Sequence, residues 1–447
     1  MLEGHHEVSF LLKALQTKSK GEHVMNESQM IVGIQEKPKS IGKWIVLSLQ
    51  HVFAMFGATV LVPLLTGLDV GVALVASGIG TLIYIFCTKA KVPVYLGSSF
   101  AYIPAITAAI AGAGAGSAYI GLMVVGIIYV IVATAIHFFG SGWLKKLLPP
   151  IVIGPMIIII GMTLAPVAIS SSGFDGSQGW KVPLVAAITF LSVVILSTKA
   201  KGFLRIVPFL VSIFIGYIAS IIVGLVDLAV VFEGVRFFQL PNFSFIGTYA
   251  FDFSAVAMFA PLAFVTIAEH IGDHVVLGEI TSKDFLTDPG LDKTLLGDGI
   301  ATFVAGAIGG PANTTYGENT GVVAITRVAS VWVTGLAACF AILLGFFGWI
   351  QAFINSIPWA VIGGMTIVLY GLIAANGVKI LIKDRTDLSK MKNLIVVSTM
   401  LVIGLGGALL NLTEVVKLSG MSFAAIVGIL LNLLITGLEK IGPNPEE

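Results

Sequence analysis

Long apolar runs separated by short polar breaks fill the chain from Trp44 almost to its end. A run of about 20 apolar residues crosses the hydrocarbon core as a helix, and shorter runs serve where Gly or Pro interrupts them. On that basis the pattern predicts spans near 44–66, 71–88, 98–112, 118–140, 150–169, 182–198 and 206–226. It predicts a second set near 255–277, 295–309, 317–329, 331–354, 358–382, 393–410 and 421–438, which makes fourteen transmembrane segments. Two of them, 98–112 and 317–329, are too short to cross alone, and each falls in the middle of its half. Residues 1–40 are polar, mixed in charge and broken by Gly and Pro, with no apolar core for a signal peptide. They read as a solvated cytoplasmic tail, and the spacing of His5, His6 and His23 fits no zinc pattern.

Composition agrees with a polytopic all-α membrane protein. Hydrophobic residues make up 57% of the chain and charged ones 11%, against about 25% charged in soluble domains. The net charge of +1 gives no reason to expect a nucleic-acid partner, and the partner that the apolar surface needs is the lipid bilayer. Cys87 and Cys339 sit in apolar runs and suggest no disulfide framework. No metal-spaced Cys/His group, HExxH, GxSxG or phosphate-binding glycine loop stands out, so neither a metal, a cofactor nor an enzyme is expected.

Loop charge orients the spans. Basic residues at Lys89 and Lys91, Lys145 and Lys146, Lys199 to Arg205, Lys283 and Lys293, and Lys383 to Lys392 alternate with the poorly charged loops 66–71, 112–118, 170–179 and 412–420. Basic loops mark the cytoplasm, which puts both termini on the cytoplasmic side of the cell membrane.

An internal repeat sets the architecture. Gln50-His51 matches Glu269-His270, and Ala105-Ile106-Thr107 matches Ala324-Ile325-Thr326, both at an offset of 324 − 105 = 219. Pro149 with Ile153-Gly154-Pro155-Met156 matches Pro358 with Ile362-Gly363-Gly364-Met365 at 209. Seven spans per half is odd, so the second copy is inverted in the membrane relative to the first. Inverted repeats with a broken span in each half put a substrate near the midplane, between half-helix N-termini whose N–H groups are free. Those ends are Gly97 to Phe100 and Gly317 to Thr320, and the flanking residues 92–96 and 313–316 are expected to pair as antiparallel strands at segments 3 and 10.

Residues Asn313 to Arg327 concentrate the chemistry, setting Glu318 and Asn319 after a Gly310-Pro311-Ala312 break in an apolar setting. Ionisable groups are expensive there and usually face a cavity. Asn319 either reaches the substrate or caps the half-helix, while Ser98 and Ser99 are either ligands or small packing residues. His51 and His137 are equally proton carriers or satisfied interior histidines, and Arg327 reads as an end anchor.

Glu318-Asn319-Thr320-Gly321, four residues, then Thr326-Arg327 resembles the signature of the nucleobase–ascorbate transporter family (nucleobase:cation symporters). Tyr95 to Phe100, Ile267 to Gly272, Asp288-Pro289-Gly290 and Asn313 to Asn319 are similar to its bacterial uracil permeases, over residues from about Ile41 to the last span. The resemblance implies a core domain (41–140 and 255–354), a gate domain (141–254 and 355–438) and a cytoplasmic C-terminal tail (439–447). It implies proton-coupled uracil uptake by alternating access, and a homodimer. By motif, Glu269 and Glu318 would bind the base, the N–H groups of Phe100 and Gly317 would meet its carbonyls, and Tyr316 would line the pocket, with Ser99 and Asn319 beside them.

The chemistry fits independently, since uracil carries two ring N–H donors and two carbonyl acceptors. Proton coupling is assigned to Glu269 and Asp273, because a carboxylate in a low-dielectric cavity prefers its neutral form and can travel with a proton. Related permeases commonly carry a histidine one turn after that glutamate, where this chain has Asp273 followed by His274. Either Asp273 takes that role or Glu269 acts alone, and Na⁺ is a further candidate ion. The alternatives are a purine (xanthine or urate) permease, in which Gln is expected at position 318, and an anion exchanger of related inverted-repeat architecture. A channel is disfavoured, because midplane carboxylates make a binding site rather than a ring-lined pore.

Overall fold

The chain, taken from a computed structural model, is described at residues 30–205, 207–245, 249, 253–411 and 417–439. His5, His6, His23 and the C-terminal tail from 440 onward lie outside them. The first half runs α1 (Ile41–Thr66), α2 (Val70–Cys87), β1 (Leu96–Ser98), α3 (Phe100–Ala113), α4 (Ala115–Phe139), α5 (Pro150–Ser172), α6 (Lys181–Lys199) and α7 (Pro208–Ile222). The second runs α8 (Phe253–Thr281), α9 (Leu291–Ala307), β2 (Asn313–Thr315), α10 (Gly317–Thr326), α11 (Val331–Gly345), α12 (Trp359–Lys383), α13 (Met391–Leu405), β3 (Leu409–Asn411), β4 (Lys417–Ser419) and α14 (Gly420–Leu438). Among the described residues eight helices, α1, α2, α4, α5, α6, α8, α12 and α14, are long and apolar enough to cross a membrane. Helices α3, α7, α11 and α13 are apolar but shorter.

Packing partners recur with the halves exchanged. Helix α4 packs on α9 and α2 on α11; α8 packs on α4 and α1 on α11; α6 packs on α12 and α13 on α5. Helices α2 and α9 touch each other, as do α5 and α12, and so do the two strands. Most of these contacts fall within one group, α1–α4 with α8–α11, or another, α5–α7 with α12–α14, and the packing of α8 on α14 and α5 and of α1 on α7 joins the two.

Glycines let these helices approach closely. A Cβ on Gly126 of α4 would lie 2.6 Å from the Gly299 carbonyl oxygen of α9, and one on Gly299 would lie 2.6 Å from the Tyr129 Cβ. Small residues at such crossings favour association by close packing, since lipid tails already solvate apolar side chains.

At the centre, β1 and β2 pair antiparallel, with Leu96 opposite Thr315, Gly97 opposite Thr314 and Ser98 opposite Asn313. The second strand falls where it is expected, whereas the first starts at Leu96 rather than 92. Pro93 has no N–H to give a ladder, and the Leu96 N–H turns to α2 instead, donating to Thr81 Oγ1 at 2.9 Å. The first half-helix likewise starts late, as a 3-10 turn at Phe100–Tyr102 that leads into α-helix at Ile103, where Pro104 suits a first turn.

Two further expectations are corrected. Segment 393–410 ends as helix at Leu405, because Gly406 and the left-handed Gly407 (φ 70°) close it, and β3 and β4 then pair antiparallel where an open loop is expected. Residues 30–36 are not solvated tail. Ile31 N–H donates to the Arg327 carbonyl, Ala329 N–H to Val32 and Val331 N–H to Ile34, which staples this segment to the α10–α11 junction. Lys37 covers the Trp44 ring at 4.2 Å from its centroid.

Overpacking a tight crossing typically costs about 1–3 kcal/mol. Gly126→Leu is therefore expected to lower the melting temperature in detergent, while Gly112→Ala, whose Cβ meets nothing within 4 Å, does not. Equal melting of the two variants would remove the close-packing account.

Candidate functional site

Two chain breaks meet at the middle of the fold, and their backbone groups are satisfied by the ladder and by polar side chains from α2 and α9. Ser77 Oγ donates to the Leu96 carbonyl at 2.6 Å, Thr302 Oγ1 to the Asn313 carbonyl at 3.0 Å, and Asn313 Nδ2 to the Ala76 carbonyl at 3.0 Å. Non-helical backbone survives at membrane depth only when it is enclosed in this way. Ser99 N–H donates to the Ala312 carbonyl at 2.9 Å, and Tyr316 N–H to the Tyr95 carbonyl at 3.2 Å. These two bonds extend the pairing on either side of the strands, up to the first turns of α3 and α10.

Tyr316 locks the crossing. Its hydroxyl donates to the Ser98 carbonyl at 2.8 Å and accepts from Thr59 Oγ1 at 3.3 Å, and its ring covers Gly97, where any Cβ would collide with it. At 3% exposed it supports the site more than it faces an open space.

The expected ligands assemble around this crossing. Glu269 and Asp273, one turn apart on α8, are both half-buried. Glu318, in the first turn of α10, is half-buried, while Gly317 is exposed. Neither Glu269 nor Glu318 is paired with a basic side chain among the described residues. A Cβ built on Gly272, Gly317 or Gly321 meets nothing within 4 Å, so there is open space along α8 and α10. Phe100 is half-buried at the start of α3. As first-turn groups, the N–H groups of Phe100 and Gly317 have no acceptor within their own helices. Helix N-termini also carry partial positive charge, which favours an acceptor oxygen there.

Other expected residues are tied into the frame. Asn319 does not cap α10: its Nδ2 donates to the His51 carbonyl and lies 3.1 Å from His51 Nδ1, which joins α10 to α1. Ser99 is 1% exposed, and its Oγ has no hydrogen-bond partner among the described residues. Ser98 Oγ donates to the Thr59 carbonyl at 3.1 Å. His137 bonds Asp292 at 2.9 Å at the ends of α4 and α9, away from this crossing.

Sequence reasoning missed several partners. Thr315 Oγ1 donates to Asp273 Oδ2 at 2.5 Å and links β2 to α8. Behind α8, His270 Nδ1 lies 2.8 Å from Asp298 Oδ2 of α9, and His274 Nε2 lies 2.5 Å from the Tyr84 hydroxyl of α2. The signal was present in Glu269-His270 and Asp273-His274: two pairs spaced by one turn make two rows on one helix, about 100° apart.

Comparison with known proteins bears on this geometry. A family profile described as "Permease family" matches residues 42–413. The chain belongs to this permease family. It is 46% identical to a uracil permease of Bacillus caldolyticus over 93% of this chain and 96% of that one. It is 42% identical to a uracil permease of Bacillus subtilis strain 168 (92% and 96%) and 41% identical to one of Escherichia coli K12 (92% and 95%). Among solved structures, the transmembrane domain of the cyanobacterial bicarbonate transporter BicA aligns at a TM-score of 0.58 and 14% identity, covering 92% of this chain and all (100%) of that one. The murine anion transporter Slc26a9, solved in an inward-facing state, aligns at 0.66 and 12%, covering 90% of this chain and 69% of that one. At such identities the likeness is one of fold. As a member of the permease family the chain is a multi-pass cell-membrane permease and not an enzyme.

A net hydrogen bond is worth about 0.5–1.5 kcal/mol, and a buried acceptor left without its donor costs more. Tyr316→Phe is thus expected to reduce thermal stability in detergent measurably, while Thr134→Val, which removes an exposed intrahelical bond, leaves it near wild type. Wild-type melting of Tyr316→Phe would show that the hydroxyl does not hold the crossing.

Proposed function

We propose that this permease imports uracil by proton symport with alternating access. The observation that carries the reading is the meeting of two half-buried carboxylates without a basic partner among the described residues, Glu269 and Glu318, with two half-helix starts at Phe100 and Gly317. Uracil's ring N–H groups donate to the carboxylates, and its carbonyl oxygens accept from the N–H groups of Phe100 and Gly317. Tyr316, Ser99 and Asn319 hold the frame, through the ladder and through His51. The relatives named as uracil permeases support the choice of base. The glutamate at 318 supports a pyrimidine over a purine.

In this reading fourteen segments form two inverted seven-segment repeats, with both termini cytoplasmic. The core domain is residues 41–140 with 255–354, and the gate domain is 141–254 with 355–438. The exchange symmetry of the packing pairs and their sorting into two groups support that division. Residues 237–244 of the gate range are fastened to the core, with Gln239 N–H donating to the Phe346 carbonyl and Ser244 N–H to the Ile308 carbonyl. The moving joint on this side therefore lies between α7 and residue 237. Rocking of the core against the gate opens the central crossing to one side at a time. The proton travels on Glu269 and Asp273, whose negative charges next to Glu318 favour binding a proton together with the base.

A hydrogen bond to a charged acceptor contributes about 1.5–3 kcal/mol, or roughly ten- to a hundredfold in Kd. Glu269→Gln and Glu318→Gln are each expected to weaken uracil binding by that factor, while Lys199→Ala, at the far end of α6, changes it little. In proteoliposomes and Na⁺-free buffer, labelled uracil should accumulate above equilibrium only with an inward proton gradient. Undiminished binding in both glutamine variants would overturn the site, and accumulation that requires Na⁺ would overturn the coupling ion.

A further inference from the structure

Helix α8 carries a second polar row that the uracil site does not use. His270 and His274 are 0% and 1% exposed and stack with ring centroids 4.0 Å apart. Asp298 of α9 is 0% exposed and has His270 as its ion-pair partner at 2.8 Å. Two atoms of this group, His270 Nε2 and Asp298 Oδ1, are buried with no hydrogen-bond partner among the described residues.

Geometry constrains the protons. His274 Nδ1 lies 2.7 Å from the His270 carbonyl oxygen, which can only accept, so Nδ1 carries the hydrogen. Its Nε2 then accepts from the Tyr84 hydroxyl, and His274 is neutral and satisfied. Stacking at 4.0 Å disfavours a second charge beside a charged His270. His270 and Asp298 are left as the pair with a vacant proton position. With a hydrogen on Nδ1 and Asp298 ionised, the pair carries one negative charge. One more proton, on His270 Nε2 or shared with the carboxyl, makes it neutral overall.

We propose that the His270–Asp298 pair is a buried proton-holding site directly behind the substrate site, through which α8 carries the coupling proton. The inference rests on the proton-symport reading and deepens it. The titratable groups close enough to interact with the pair are Glu269 and Asp273 on α8, Tyr84 on α2, and Tyr102 and Tyr129 on α3 and α4. None of these is a cation, so uncompensated negative charge is expensive in this apolar interior. Glu269 and the pair therefore compete for protons. When Glu269 is ionised and accepts hydrogen bonds from the base, the pair keeps the proton. When the base leaves, the proton passes from the pair to the Glu269 carboxylate, one residue away along the helix, from which it is released to water on the side to which the base has gone. Each transfer moves one proton from an imidazole nitrogen or carboxyl to a carboxylate, with no other bond changed.

The test uses the full chain in proteoliposomes. Asp298→Asn keeps an acceptor for His270 Nδ1–H and removes the titrating group, and His270→Gln keeps a donor for Asp298. Both variants are expected to bind uracil within about threefold of wild type and to exchange internal for external uracil. Both should lose gradient-driven accumulation at least tenfold, and the pH dependence of their binding should flatten. Wild-type accumulation by either folded variant overturns the proposal, and so does loss of binding in step with loss of accumulation, which marks a structural role. If neither variant folds, infrared difference spectra of the unmodified protein between high and low pH decide. Bands of a slowly exchanging protonated carboxyl or imidazolium support the site, and their absence overturns it. Failure of the unmodified protein to accumulate uracil on a proton gradient would instead remove the symport reading, and this inference with it.

Discussion

Backbone that leaves the helix inside a membrane must find hydrogen bonds within the protein, and this constraint organises the molecule. The chain breaks helical geometry near Leu96 and near Asn313, and each break satisfies the other through the β1–β2 ladder. What the ladder leaves over is taken up by the Ser77, Thr81 and Thr302 side chains. Helices α2 and α9 supply those groups from either side and pack on each other, so the crossing lies where the two halves meet. Lipid offers no partner for an open strand edge, so the breaks can exist only together.

The site follows from that solution. Because the two strands are antiparallel and only three residues long, with Ser98 opposite Asn313 and Leu96 opposite Thr315, the helices after them begin at the two ends of one short ladder, with unsatisfied first-turn N–H groups. Helix α8 runs beside them and is tied in by the Thr315 bond to Asp273. In the proposed site its carboxylates work together with donors that the backbone has already fixed in space. A site pre-organised by backbone needs few side chains, and those it has are frame members as often as contacts. Tyr316 and Asn319 show this, since the Tyr316 hydroxyl and the Asn319 Nδ2 are both spent on neighbouring segments.

Helix α8 serves two surfaces at once. Its carboxylate row faces the crossing, and its histidine row is fully enclosed against α2 and α9. A rotation of this helix would change both environments together, which is a physical route for coupling a charge on one face to a charge on the other. The tight glycine crossings, such as Gly126 on Gly299, make such a group of helices move as a body rather than deform.

Much of this was legible in the residues. Apolar run lengths located most of the helices to within a few residues, because crossing hydrocarbon demands a fixed length of apolar side chain and tolerates little else. The run 331–354 is an exception, since α11 ends at Gly345 and a separate short helix covers Gly348–Asn355. The offset of 219 between Gln50-His51 and Glu269-His270 disclosed the repeat, and Glu318 stood out because a carboxylate in such surroundings is costly. Local chemistry decided finer points that a length count passes over: Pro93 delays the first strand, and Gly406 and Gly407 end α13 early. Only the tertiary structure decided which polar groups meet. His270 with Asp298, His274 with Tyr84, Asn319 with His51 and Asn313 with the Ala76 carbonyl join residues on different elements. Helical periodicity gives the face on which each residue lies but not the neighbour across it, because that neighbour is set by the crossing of whole helices.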